Sequence, residues 1–313
     1  MENNIIILGS NGQLGSELIK LGPISNPEFN WISITREVLD LSKLTKDYFV
    51  EFLKKYNPHL VINCSAYTNV DRAEEEQDLA LRINAESLDL ITQILAMKSI
   101  PFVHFSTDYI FGDSTKKKLK TTDTKNPIST YGATKLIGEN IIKKNFSSKF
   151  KNFYILRISW VFGEVGNNFV KTILKISKTK SIINVVSDQY GGPTSSASVA
   201  KFIIKLIPNM LENTFPVNRI KKKFPWGIYH FQGKPTVSWS KFASKIIEIA
   251  YEKRIVNHKT QIKEILTSEY KSLAKRQLNS RLDCINTEKL FEIKMPRWEK
   301  DLEKILIEIK KFE

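Results

Sequence analysis

Tyr131 and Lys135 stand four residues apart in Ser129-Thr-Tyr-Gly-Ala-Thr-Lys135, and a phenol beside an ammonium is a pair suited to moving a proton. On a helix, residues at i and i+4 share a face, so the Lys135 ammonium is expected to approach the Tyr131 phenol. A free phenol has a pKa of about 10 and is a poor acid or base at neutral pH. A neighbouring cation favours the phenolate and brings it toward the working range. Chance could produce such a spacing in a lysine-rich chain, but of the ten tyrosines only Tyr131 has a lysine four residues on. A second group lies at the start, in Ile5-Ile-Ile-Leu-Gly9-Ser-Asn11-Gly12-Gln13-Leu14-Gly15. The apolar run reads as a buried strand, and the glycines punctuate the turn into a helix. That is the context in which a glycine motif signals a dinucleotide site. Gly9 permits the turn, Gly12 lets amides near a pyrophosphate, and Gly15 lets helix and strand pack closely. Phosphates would then rest on the helix N-terminus, where free amides and the macrodipole favour an anion. Together the two groups point to hydride transfer coupled to proton transfer.

The elements needed to position these groups are legible in the first 160 residues. Strands are expected at Asn4–Leu8, Trp31–Thr35, His59–Asn63, Pro101–Phe105 and Phe153–Ile158. Helices are expected at Gln13–Leu21, Thr45–Tyr56, Asp71–Lys98 (with a break near Gln77) and Ser129–Lys144. Alternation at this spacing implies right-handed crossovers and an α/β, Rossmann-type, doubly wound parallel sheet. Beyond Trp160 the pattern loosens. Helices are expected at Asn168–Lys178, Ser196–Leu211, Ser238–Lys253, Thr287–Phe291 and Glu299–Lys311. Strands are expected at Ile182–Val186 and Gly227–Phe231, a loop at Asn213–Phe224, and a basic irregular stretch from Arg254 to Arg281. The division is a dinucleotide-binding domain over 1–165 and a smaller α/β substrate-binding region over 166–313, with chain crossings between them.

Arginine or an acid after strand two selects the dinucleotide. An acid there suits the NAD ribose, whereas an arginine accommodates the NADP 2′-phosphate. Ile34-Thr-Arg36-Glu37 carries both, so Arg36 points to NADPH while Glu37 leaves NADH open. The net charge of +15 lies wholly in residues 151–313, since acids and bases balance over 1–150. No nucleic-acid-binding signature accompanies that excess, which leaves a diphosphate ligand or plain surface composition. Two cysteines and four scattered histidines offer no disulfide framework and no ligand spacing, so no metal is expected. The N-terminus lacks the basic start and length of a secretory signal, and no stretch approaches a membrane span; a cytoplasmic protein is expected.

Longer stretches carry a resemblance. Gly12-Gln-Leu-Gly-Ser-Glu-Leu18, Val61-Ile-Asn-Cys-Ser-Ala-Tyr-Thr-Asn-Val-Asp71, Ser106-Thr-Asp-Tyr-Ile-Phe-Gly112, Tyr131-Gly-Ala-Thr-Lys-Leu-Ile-Gly-Glu139, Arg157-Ile-Ser-Trp-Val-Phe-Gly163 and Asp188-Gln-Tyr-Gly-Gly-Pro-Thr194 run almost end to end. The chain resembles the dTDP-4-dehydrorhamnose reductases, which are extended short-chain dehydrogenases/reductases. The resemblance implies reduction of a dTDP-4-keto-6-deoxy sugar by a catalytic trio of Thr107, Tyr131 and Lys135. It implies that Gly12, Gln13 and Leu14 touch the cofactor phosphates, and that Lys135 also holds the nicotinamide ribose. Asp40 and Leu41 would lie near the adenine, with Ser65, Ala66 and Tyr67 along the cofactor. Thr107, Asp108, Tyr131, Trp160 and Asn168 would meet the sugar nucleotide. Two relatives of the fold remain as alternatives. Dehydratases follow the catalytic threonine with Asp-Glu, whereas here Asp108-Tyr109 follows Thr107; a non-catalytic regulatory subunit would not need the intact trio. Some family members bridge a homodimer with magnesium through carboxylates after the Gly-x-Pro-Thr stretch. Glu17 is present, but Pro193 to Lys201 carries no acid, so a dimer, if formed, is expected to lack that metal.

Overall fold

The computed structural model describes residues 3–114, 117–146, 150–211 and 223–311. The first half alternates β1 (Asn3–Leu8), α1 (Gln13–Ser25), β2 (Phe29–Ile34), α2 (Lys46–Tyr56) and β3 (Leu60–Asn63). Three helical pieces follow, α3 (Val70–Glu75), α4 (Gln77–Leu81) and α5 (Ser87–Met97), with a π-turn at Arg82–Glu86 between the last two. Then come β4 (Phe102–Thr107), α6 (Thr130–Asn145) and β5 (Phe153–Ile158). The expected interruption of the long helical stretch falls at Glu76, which leaves helical geometry and separates α3 from α4.

The second half holds β6 (Val161–Phe162), α7 (Phe169–Ser177), β7 (Ile182–Val186), β8 (Tyr190–Gly191), β9 (Thr194–Ser195) and α8 (Ser196–Leu211). It continues with β10 (Gly227–Phe231), β11 (Val237–Ser238), α9 (Trp239–Glu252), β12 (Gln261–Ile265), β13 (Asn279–Ser280), α10 (Ile285–Leu290) and α11 (Trp298–Lys311). Most of the expected Asn213–Phe224 loop lies outside the described residues. The stretch from Arg254 to Arg281, read from sequence as irregular, contains β12, paired in parallel with β7. Its polar residues are exposed on a two-stranded edge, so the alternation that marks a half-buried strand is diluted.

Six parallel strands form the central sheet in the order β10-β5-β4-β3-β1-β2. β3 and β4 are buried along their whole length, including the polar Asn63, His104, Ser106 and Thr107 toward their carboxyl ends. One face packs Ile5, Ile7, Val103 and Leu156 against α1 and α8. The other packs Ile6, Val61, Phe102 and Ile155 against α2, α5 and α6. α8 and β10 therefore return to the large sheet although they follow residue 165. A separate core joins β7 to α7, α9 and α11 through Ile173, Ile183, Phe242, Ile246, Leu302 and Leu306. Across the large sheet a buried ion pair ties β5 to α6: Arg157 donates to both Glu139 carboxylate oxygens at 2.9 and 2.7 Å. The strand order reverses between β1 and β3, the place where open α/β sheets bind ligands beyond their carboxyl ends.

Candidate active site

A cleft of about 670 Å³ opens at that reversal point. Its first wall is the turn after β1. Gly9 sits at φ +70°, and a Cβ there would fall 2.8 Å from the Ser65 backbone nitrogen. Gly15 is pressed to the turn as well, since a Cβ would come within 2.3 Å of the Gly9 carbonyl oxygen. Gly9, Asn11, Gly12, Gln13 and Leu14 line the cleft; Gly15 does not, and its part is the close packing of α1. Gly12 occupies the N-cap of α1 with no side-chain cap, so first-turn amides are left for a ligand. Those features fit a pyrophosphate. The wall continues with Arg36, Asp40 and Leu41. Arg36 is held over the cleft by Asp40 at 3.3 Å, and Asp40 caps the short turn at Leu41–Lys43. Glu37, which kept NADH open in the sequence, is exposed and does not line the cleft.

Ser65 and Ala66 line the floor beyond β3. Tyr67 does not. Its hydroxyl bonds Glu76, while its amide and carbonyl are tied to the Asn84 side chain at 2.9 and 3.1 Å. Asn84 lies in the π-turn and also reaches the Thr134 hydroxyl at 3.1 Å, so it staples this loop to the catalytic helix. Sequence alone carries no signal for that, because an inserted helical residue leaves no compositional mark. Asn168 likewise lies outside the cleft lining. It caps α7 and bonds the Gln13 side-chain oxygen at 3.1 Å, supporting the phosphate turn.

The far end gathers Thr107, Asp108, Tyr131, Lys135 and Trp160. Thr107 ends β4, and its hydroxyl donates to Asp108 at 3.2 Å. Burial pushes the Asp108 carboxyl up to about 6, against the hydrogen bonds of Ser280, Thr107 and Gln277. Gln277 donates to it at 2.8 Å from 169 residues further along the chain. Burial also pushes the Tyr131 phenol above its ordinary range; Asp108 and Tyr109 add to that, and a Thr107 hydrogen bond opposes it. The phenol is therefore kept as an acid, ready to give its proton to a developing alkoxide.

Lys135 corrects the expectation drawn from the spacing. It shares the cleft with Tyr131, yet its Nζ turns to β4, 2.8 Å from the Phe105 carbonyl and 2.9 Å from His104 Nε2. It is not among the groups acting on the phenol. A buried amine must satisfy its hydrogen bonds within reach, and β4 supplies two partners. Burial pushes Lys135 down to about 8, with Glu139 pulling back. Trp160 has a left-handed backbone, φ +47°. Its ring is clamped between Trp239, whose centroid is 3.6 Å away and nearly parallel, and Gly191. A bulky residue in that backbone region signals a constrained site. Ser106 also lines the cleft, with a buried hydroxyl that has no hydrogen-bond partner among the described residues. Among the described residues no three His, Cys, Asp or Glu side chains gather to hold a metal, and no helix is long and apolar enough to cross a membrane.

A six-stranded parallel sheet with a glycine turn at one end of the cleft and a Thr/Tyr/Lys set at the other defines a nicotinamide-dependent oxidoreductase. Residues 3–311 match the model of the RmlD substrate binding domain. The dTDP-4-dehydrorhamnose reductase of Aggregatibacter actinomycetemcomitans is 35% identical over 301 residues, spanning 96% of this chain and 97% of that one. The NADP complex of dTDP-4-dehydrorhamnose reductase from Bacillus anthracis superposes with a TM-score of 0.84 at 33% identity, over 98% of this chain and all of the other. A Clostridium acetobutylicum ortholog gives 0.85 at 31% identity over 98% and 99%. The chain belongs to the dTDP-4-dehydrorhamnose reductase family.

Proposed function

We propose that this chain reduces the C4 ketone of dTDP-4-dehydro-6-deoxy-L-mannose (dTDP-4-dehydrorhamnose) to dTDP-L-rhamnose, with NADPH as the preferred donor. The observation that carries the reading is one cleft holding the capless α1 amides and Arg36 at one end and Thr107, Tyr131 and Lys135 at the other. Bound NADPH supplies the hydride. The first-turn amides of α1 and the Gln13–Leu14 backbone hold the diphosphate, and Arg36 faces the 2′-phosphate. Thr107 hydrogen-bonds the ketone oxygen and steadies Tyr131, whose phenol gives its proton to that oxygen as charge builds there. Lys135 holds the ribose next to the reacting carbonyl. Trp160 packs the sugar, and Asp108 orients its hydroxyls from behind Thr107.

Residues 1–165 carry the dinucleotide in this reading, and residues 166–313 mainly carry the dTDP-sugar, with α8 and β10 supporting the large sheet. Both cysteines are free, which suits a cytoplasmic setting. A homodimer, if formed, would be held by protein contacts rather than by interfacial magnesium. The test follows NADPH oxidation by the purified full chain with the keto sugar and identifies the product by NMR. Tyr131→Phe should lower kcat by about 10²–10⁴ fold, the usual worth of a positioned acid, with NADPH affinity nearly unchanged. No oxidation of NADPH with the keto sugar refutes the reaction. Full activity of Tyr131→Phe refutes the proton donor.

A further inference from the structure

At the floor of the cleft Lys135 is joined to His104 and Asn63 in a buried file, and the reaction above gives those two partners no task. The Asn63 side-chain oxygen accepts the Ser65 amide at 2.9 Å. Its NH2 group is thereby turned to His104 Nδ1, 3.2 Å away. An amide nitrogen only donates, so Nδ1 has to accept, and the neutral ring carries its proton on Nε2. That proton points at Lys135 Nζ, 2.9 Å away. An Nε2–H and an ammonium would be two donors face to face; an amine accepts the Nε2 proton and still donates to the Phe105 carbonyl.

We propose that His104 is a positioning residue, which docks Lys135 against β4 as an amine in the cofactor-free enzyme and yields it to the dinucleotide ribose as an ammonium. The inference rests on the reductase reading, because it needs a dinucleotide to draw Lys135 away. The bond formed is N–H at Lys135 Nζ, the bond broken is O–H of a water in the open cleft, and the buffer acid neutralises the hydroxide left, so the net proton is drawn from the buffer. Electrostatics run the same way. Burial lowers Lys135 to about 8, so the amine predominates above that pH, and burial keeps His104 uncharged well below its ordinary range. The groups facing the pair are few. Glu139, one turn further on α6, acts on Lys135, and Lys135 acts on His104. β3 presents Asn63 to His104, β5 presents Ile155, and α5 brings Leu88 and Ile91 to the same side of the sheet.

Proton uptake on NADPH binding tests this without the sugar. Calorimetry at pH 8.5 in buffers of different ionisation enthalpy measures it, where the cofactor phosphates (second pKa about 6) no longer titrate. A lysine passing from about 8 when docked to about 10.4 when released should take up about 0.7 of a proton per dinucleotide. His104→Gln offers a carbonyl oxygen that accepts from an ammonium, so uptake should fall by more than half. A residue that only filled space would lower stability and leave uptake unchanged, and that result overturns the proposal, as does a wild-type enzyme without uptake. Nitrogen-15 NMR of the histidine-labelled, cofactor-free wild type gives a second reading that needs no variant. A proton on His104 Nε2 supports the file, and a proton on Nδ1 overturns it. Uptake without reduction of any keto sugar refutes the assigned reaction and supports the coupling; turnover without uptake refutes the coupling alone.

Discussion

Asp108 carries a charge the fold disfavours, and removing it should stabilise the protein at neutral pH. The carboxyl is 1% exposed and is raised from 3.8 to about 6 by burial. At about 1.36 kcal/mol per pH unit, the ionised form costs the folded state about 3 kcal/mol. The folded protein holds this proton more tightly than the unfolded chain, so stability falls as pH rises from 3.8 through 6, and the full cost applies above that window. Asp108→Asn keeps the shape. Its oxygen can accept from Gln277, and its NH2 can donate to the Thr107 oxygen, whose own proton then turns to the cleft. Spread over 313 residues at about 2.1 cal/mol/K each, about 3 kcal/mol corresponds to a Tm rise of about 5 °C at pH 7.5. The advantage should shrink to roughly half at pH 5, where the wild-type carboxyl is largely protonated in the folded state. Activity should fall, because the carboxylate also helps keep the Tyr131 phenol protonated. Scanning calorimetry of both proteins at the two pH values measures the effect. A Tm gain that is absent at pH 7.5, or equal at both pH values, refutes the reasoning.

Two further expectations concern the cofactor and the core. Arg36→Ala should raise the KM for NADPH about tenfold, the low end for a charge-assisted bond because Arg36 is exposed, and leave the KM for NADH within about twofold. Steady-state kinetics with both donors checks it, and an equal rise for both removes Arg36 from 2′-phosphate recognition. Glu139→Gln should cost about 3–5 kcal/mol, since it strands the buried Arg157 guanidinium. Urea unfolding monitors that, and a loss under about 1 kcal/mol would mean that Thr121 and His230 alone satisfy Arg157.

Local chemistry made a good part of this molecule readable. The Ile5–Leu8 run followed by Gly9, Gly12 and Gly15 announces a buried strand and a turn that side chains would block, and both are constraints on neighbouring atoms. Thr107, Tyr131 and Lys135 could be named because the residues around them are distinctive as a string. Element order followed from periodicity, which is a property of the segment alone. Where the polar residues of a strand lie on an exposed edge, as in β12, that signal disappears.

What the side chains do inside the cleft was settled by partners distant in sequence. The helical spacing of Tyr131 and Lys135 placed both on one face, but His104 and the Phe105 carbonyl, about thirty residues earlier, turned the lysine nitrogen aside. Gln277 crosses from the second half of the chain to Asp108, whose acidity comes from burial. Arg36 reaches the cleft while its neighbour Glu37 faces solvent, a choice made by the direction in which the chain leaves β2. Trp239 fixes the Trp160 ring from the start of α9. Residue types and their spacing therefore determined which chemistry the chain is equipped for. The charge and direction of each group depend on dielectric and on contacts that exist only once the strands and helices have come together.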